Sequence, residues 1–143
     1  MAGTAASTSA GNATDAGRLV LRLTVGLLLL FHGVAKLVGG IGGISAALTQ
    51  AGMPGALGYL VYIGEVLAPL LLIVGVWTRV AAFVVVINMV VAVALAHGGQ
   101  LLSLDQSGGY ALELQAFYLF SALVIALIGA GRYSMGGERG RWN

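Results

Sequence analysis

The sequence predicts an all-α membrane protein: a four-transmembrane-helix bundle with a short amphipathic helix in the first outer loop. Three observations predict it. Of the residues, 59% are hydrophobic and only 8% charged, against roughly a quarter charged in soluble domains. The apolar residues gather into four long stretches, and most charges lie at the ends of those stretches. At 143 residues the chain is one domain that four spans nearly fill.

The elements follow in order. Residues 1–16, MAGTAASTSAGNATDA, are small and polar and lack the basic-then-apolar pattern of a secretory signal. They read as a disordered tail. The membrane domain, 17–134, opens with a span over about 18–38, capped by Asp15. Ile41, Ile44 and Leu48 then recur at helical spacing until Gly52-Met53-Pro54 ends the run, which predicts an amphipathic helix at the membrane surface. The second span covers about 56–77, with Pro69 expected to kink it. A tight turn at Thr78-Arg79 leads to a third span over about 80–97, and a polar loop to a fourth over about 110–130. Each span has about 17 to 22 residues, enough for a hydrocarbon core of about 30 Å at about 1.5 Å per residue. Residues 135–143 form a C-terminal tail.

Orientation comes from the basic residues. Arg18, Arg22, Arg79, Arg132, Arg139 and Arg141 fall on one side and Lys36 alone on the other. This predicts a multi-pass protein with both termini in the cytoplasm.

Charges inside a span cost roughly 2.5–3.5 kcal/mol each on insertion scales, so each needs a partner or a purpose. His32, Lys36, Glu65, His97 and Glu113 come from four helices and converge by depth on the outer half. They form the candidate pocket. Tyr62, Asn88, Gln115 and Tyr118 support it with hydrogen bonds, and Arg22 lies near the inner boundary on nearly the face of Lys36. Glu65 is too deep to reach water along its own stem. It must be neutral, paired with Lys36, Arg22 or a histidine, or turned to a wet cavity. Purely structural ion pairs are the competing reading. No catalytic residue is assigned.

Exclusions narrow the chemistry. There are no cysteines, which removes disulfides, thiolate metal sites, iron–sulfur clusters and any other cysteine-based cofactor. No helix carries Glu-x-x-His, so no metal site is assigned. No basic run interleaved with aromatics points to nucleic acid. The bilayer is the one certain partner.

The strings RLTVGLLLLFHGVAKL, GEVLAPLLLIVGVWTRVAA, NMVVAVALAHGG and ALELQAFYLFSALVIALIGAGRYS, spanning about Arg18 to Ser134, resemble the DoxX family of small four-helix bacterial membrane proteins. The resemblance rests on Arg22, His32-Gly33, Lys36, Glu65, Gly75, Thr78-Arg79, Asn88, His97, Glu113 and the segment Gly129 to Ser134. The family often ends in Ser-Leu-Asp, where this chain has Ser134-Met135-Gly136, so that aspartate is not inherited. The resemblance implies the bacterial cytoplasmic (inner) membrane and association with quinone-linked redox or oxidative-stress systems. A quinone is then the expected ligand, and a soluble or membrane redox partner, or a bound flavin or haem, must carry the electrons. The first alternative is a carrier or binding protein for a small or lipid-like molecule; the second is a non-catalytic scaffold for a partner protein. A homo-oligomer is compatible with all three, and the sequence leaves open whether the chain is itself an enzyme.

Overall fold

The computed structural model describes residues 2–137, 140, 142 and 143, and residues 2–10 by backbone alone. Arg139 and Arg141, counted above among the inner basic residues, lie outside the described residues. The helix α1 spans Ala2–Gly39. It therefore runs through the segment expected to be a disordered tail. Alanine-rich sequence favours helix, and side chains hold its near end: Asp15 pairs with Arg18 at 3.0 Å, and Arg132 donates to Asn12 at 3.1 Å.

Helix α2 spans Gly42–Gln50. A Cβ placed on Gly58 would touch Ile41, Ile44 and Leu48. The apolar stripe is thus turned onto the start of the next helix, and Leu48 is buried there. The sequence reading laid it on the membrane surface. Instead, a glycine in the facing turn lets the protein itself cover the stripe.

Helix α3, Gly55–Val74, changes register twice. It begins as a 3₁₀ helix over Gly55–Leu60, passes through a π turn over Ile63–Leu67 and ends as α-helix over Ala68–Val74. Pro69 has no N–H and so cannot bond the Glu65 carbonyl four residues back. The expected kink takes the form of the π turn, in which the Ala68 N–H bonds the Ile63 carbonyl. Gly75 ends α3 with φ +76, and the Arg22 guanidinium fills the place where its Cβ would stand. Trp77, at φ 48, is the one non-glycine residue with positive φ among the described residues.

Helix α4 spans Thr78–Ala96, and α5 spans Glu113–Ile128. Between them Asp105 orders a tight loop, its Oδ1 accepting from the Ser107 and Gly109 amides at 2.8 and 2.9 Å and from the Ser107 hydroxyl at 2.7 Å. Ala81, Ala82 and Ala122 are almost wholly buried, and such small residues let helices approach closely. Val25, Leu29, Ala68, Leu72, Val85, Met89, Tyr118 and Ile125 pack with them in the core. Large apolar side chains, Phe31, Phe83, Phe117 and Leu127 among them, point outward, as hydrocarbon rather than water requires. Three helical stretches, Gly11–Gly39, Gly55–Val74 and Thr78–Ala96, are long and apolar enough to span a membrane; α5 is apolar and shorter, with 16 residues.

The arginine-bearing end is closed by hydrogen bonds. Arg22, 1% exposed, donates to the Ala130 and Tyr133 carbonyls at 3.0 and 2.7 Å. Arg79 donates to the Ala126 and Leu127 carbonyls and through Nε to the Asn143 carbonyl. Asn143 Oδ1 accepts from both the amide and the hydroxyl of Thr78. Arg79 thereby satisfies the Ala126 and Leu127 carbonyls that the end of α5 leaves without helical partners, and Arg22 binds carbonyls of the segment that follows.

Candidate functional site

The site begins with the π turn. By widening one turn of α3 it brings Glu65 to the bundle interior, where the residue is 5% exposed. Lys36, one turn from the end of α1, reaches across to form an ion pair with Glu65 Oε2. Asn88 of α4 donates to Oε1 at 3.4 Å, and the Tyr62 hydroxyl donates to the Lys36 carbonyl at 3.0 Å. Three helices therefore hold one carboxylate.

Two glycines make this fit. A Cβ on Gly33 would lie 2.0 Å from the Glu65 carbonyl oxygen, and one on Gly64 would lie 2.5 Å from the Asn88 amide. The first lets α1 press on the backbone of the π turn. The second lets Asn88 reach the carboxylate. Neither was read from the sequence as part of the site; the available signal is their position, Gly33 directly after His32 and Gly64 directly before Glu65 within apolar runs.

The pair borders a cavity of about 200 Å³. His32, Lys36, Glu65, His97, Gln115 and Tyr118 give it polar groups, while Leu29, Met89, Ala92 and Leu114 give it apolar wall. His97 Nε2 lies 3.4 Å from Gln115 Nε2, and its Nδ1 lies 3.4 Å from the Ala92 carbonyl. A neutral ring protonated on Nδ1 satisfies both contacts: it donates to Ala92 and accepts from Gln115. His32 is exposed, and its ring stands edge-on to Tyr118 with centroids 6.0 Å apart.

Two expected members stand elsewhere. Glu113 lines a separate outward groove on α5. It is five residues from Tyr118, about 140° around the helix, so both cannot face the same chamber. Arg22 is fourteen residues, or about 21 Å, from Lys36 along α1, and it is committed to the carbonyls beyond α5. Among the described residues no three His, Asp or Glu side chains gather closely enough to hold a metal ion.

Chemically, the chamber offers a cation, a carboxylate, two imidazoles, an amide and a phenol around an apolar slot. Such walls can hydrogen-bond carbonyl oxygens and pass protons. Long apolar helices that enclose a Lys36–Glu65 ion pair and a small polar chamber define a helical membrane protein. Residues 17–98 match the family model described as DoxX, more than half of the chain, and the chain belongs to the DoxX family. No curated protein and no solved structure matches it.

Proposed function

We propose that the chamber binds the headgroup of a quinone and that the protein is the quinone-binding membrane subunit of a redox or oxidative-stress system. The observation that carries this reading is the ion-paired Glu65 in the wall of a small cavity with hydrogen-bonding groups on several sides. Reducing a quinone to a quinol adds electrons to the ring and a proton to each carbonyl oxygen. His32, Lys36 and Tyr118 can donate hydrogen bonds to those oxygens. Glu65 and His97 can accept and return protons. The electrons come from a partner, soluble or membrane-bound, or from a bound flavin or haem, because the side chains of this chain are not redox carriers.

The same reading places α5 as a fourth span. Its 16 residues rise about 24 Å, and a turn at Ala111 and Leu112 leads into it. Arg18, Arg22, Arg79 and Arg132 gather at the end opposite Lys36, which supports a cytoplasmic location for that end and for both termini in a bacterial inner membrane.

Titration of a quinone lacking its tail into protein held in nanodiscs tests the proposal. Saturable binding that falls at least tenfold in Glu65→Gln is expected. Absence of saturable binding, or equal affinity in the variant, overturns it. Substrate-dependent flux into liposomes without quinone binding would instead favour a carrier.

A further inference from the structure

We infer, resting on the quinone reading above, that the chamber exchanges protons with water at the Lys36 end of the bundle alone, by way of His97, and that the arginine-bearing end is sealed to them. Between the chamber and the arginines the core is dry. Leu29, Leu72, Ala82, Val85, Ala122 and Ile125 are each at most 2% exposed. Among the described residues, the buried polar or charged side chains besides Glu65 are Asp15, Arg22, Thr78 and Asn143, all at the arginine-bearing end. None stands between. Leu29 and Arg22 lie two turns apart on α1, as Tyr118 and Ile125 do on α5, so the apolar layer is about 10 Å deep. A proton crossing it would lose its hydrogen bonds to water and find no side chain to replace them.

At the other end His97 is placed to pass protons. It closes the C-terminus of α4, where the helix dipole favours an imidazolium. Its half-buried ring lines the chamber, and the exposed turn Gly98–Gln100 follows it directly. In the neutral state Nε2 accepts from the Gln115 amide. When Nε2 takes a proton, a half-turn of that amide presents its oxygen to the new N–H. Gln115 thus serves both states of the ring. The other titratable groups around the chamber are less suited. Lys36 is engaged with Glu65, and Tyr118 is buried. His32 adjoins Gly33, level with the π turn and so within the hydrocarbon. Glu113 turns to the outward groove. Helix α2 and the Gly98–Gln100 turn, which also touch α4, carry no titratable side chain.

Reducing a bound quinone takes two electrons and two protons and gives a quinol. Both protons enter from the Lys36 end. In the reverse reaction both leave there, and the electrons pass to the partner or bound redox group.

The relay is tested with a tail-less quinone bound to protein in nanodiscs on an electrode, which supplies the electrons. His97→Ala should slow quinone reduction at least tenfold while affinity for the oxidised form stays within twofold. Added imidazole should restore the rate. His97→Gln keeps a hydrogen-bonding group that does not titrate, and should show the same loss. An unchanged rate in either variant, a loss in His97→Ala that imidazole leaves in place, or a fall in affinity that matches the fall in rate overturns the relay. Absence of saturable binding to wild type overturns the quinone reading and the relay with it. The seal is tested without quinone. The chain has no cysteine, so single cysteines can be labelled in oriented vesicles with a membrane-impermeant thiol reagent. Ala92→Cys, in the chamber wall, should react from the Lys36 side only, and Val85→Cys, two turns deeper, from neither side. Reaction of Ala92→Cys from the arginine side or from neither, or any reaction of Val85→Cys, overturns the one-sided path whatever the ligand.

Discussion

Lys36 on α1 and Glu65 on α3, twenty-nine positions apart in sequence, form an ion pair that is also a wall of the polar chamber. Glu65 is the more deeply buried partner: its side chain is 7% exposed, and that of Lys36 is 27% exposed. The unequal depth has a consequence. Lys36→Met strands a carboxylate in the interior and should cost about 3–5 kcal/mol, the range for a broken buried pair. Glu65→Leu leaves a lysine whose long stem can carry its ammonium to the nearby boundary, and should cost less. Replacing both together should restore most of the loss. Unfolding in mixed micelles, analysed as a double-mutant cycle, measures the three values.

Gly33 should tolerate substitution worse than Gly64. A methyl group on Gly33 meets the Glu65 carbonyl, which is backbone, while one on Gly64 meets the Asn88 side chain. Gly33→Ala is expected to destabilise by about 1–3 kcal/mol or more and to weaken quinone binding, because the π turn must shift. Asn88→Ala should relieve the crowding in Gly64→Ala and leave the defect of Gly33→Ala unchanged. Thermal unfolding of the four variants checks the ordering.

At the opposite end Arg79 binds three carbonyls, from Ala126, Leu127 and Asn143. A lysine carries the charge without the planar fork. Arg79→Lys should therefore cost about 1–2 kcal/mol, with increased amide exchange at the end of α5. Quinone affinity should not change, since the chamber lies at the other end of the helices.

In the loop between α4 and α5 the Ser107 hydroxyl, and then the Gly109 amide, hold the Asp105 carboxyl below its ordinary value of 3.8. The sign follows from the lowered folded value. The order that Asp105 brings to the loop is fully present above the ordinary carboxylate range and is lost as pH falls through the lower folded value. Amide resonances of Ser107 and Gly109 should stay constant from neutral pH to about pH 5 and move together in more acid solution. Asp105→Ala should abolish the transition.

The first three expected spans were legible because apolar runs of membrane length have few other uses, and Glu65 was legible because a deep carboxylate is costly. Pairing was only partly legible. Depth along a helix follows from counting residues, whereas direction around it depends on register. Glu113 was grouped with the pocket by depth alone, and it turns to a different side of α5. Arg22 shared a face with Lys36 but not a level. The π turn was announced only by Pro69, which predicts a disturbed helix without saying which carbonyl is freed or where the next side chain will point. The apolar walls of the chamber, Leu29, Met89 and Leu114, look like any other leucine or methionine in a membrane helix. The helical start of α1 was hidden because small polar residues read as disorder until Arg18 and Arg132 supply partners for Asp15 and Asn12.

The most direct measurement is photolabelling with an azidoquinone in native-like membranes, with labelled residues mapped by mass spectrometry. The account predicts label on chamber residues such as His32, Leu114, Gln115 and Tyr118, suppressed by excess unlabelled quinone and lost in Glu65→Gln. Label scattered over lipid-facing positions such as Phe31, Phe83 and Leu127, and indifferent to competitor, would contradict it.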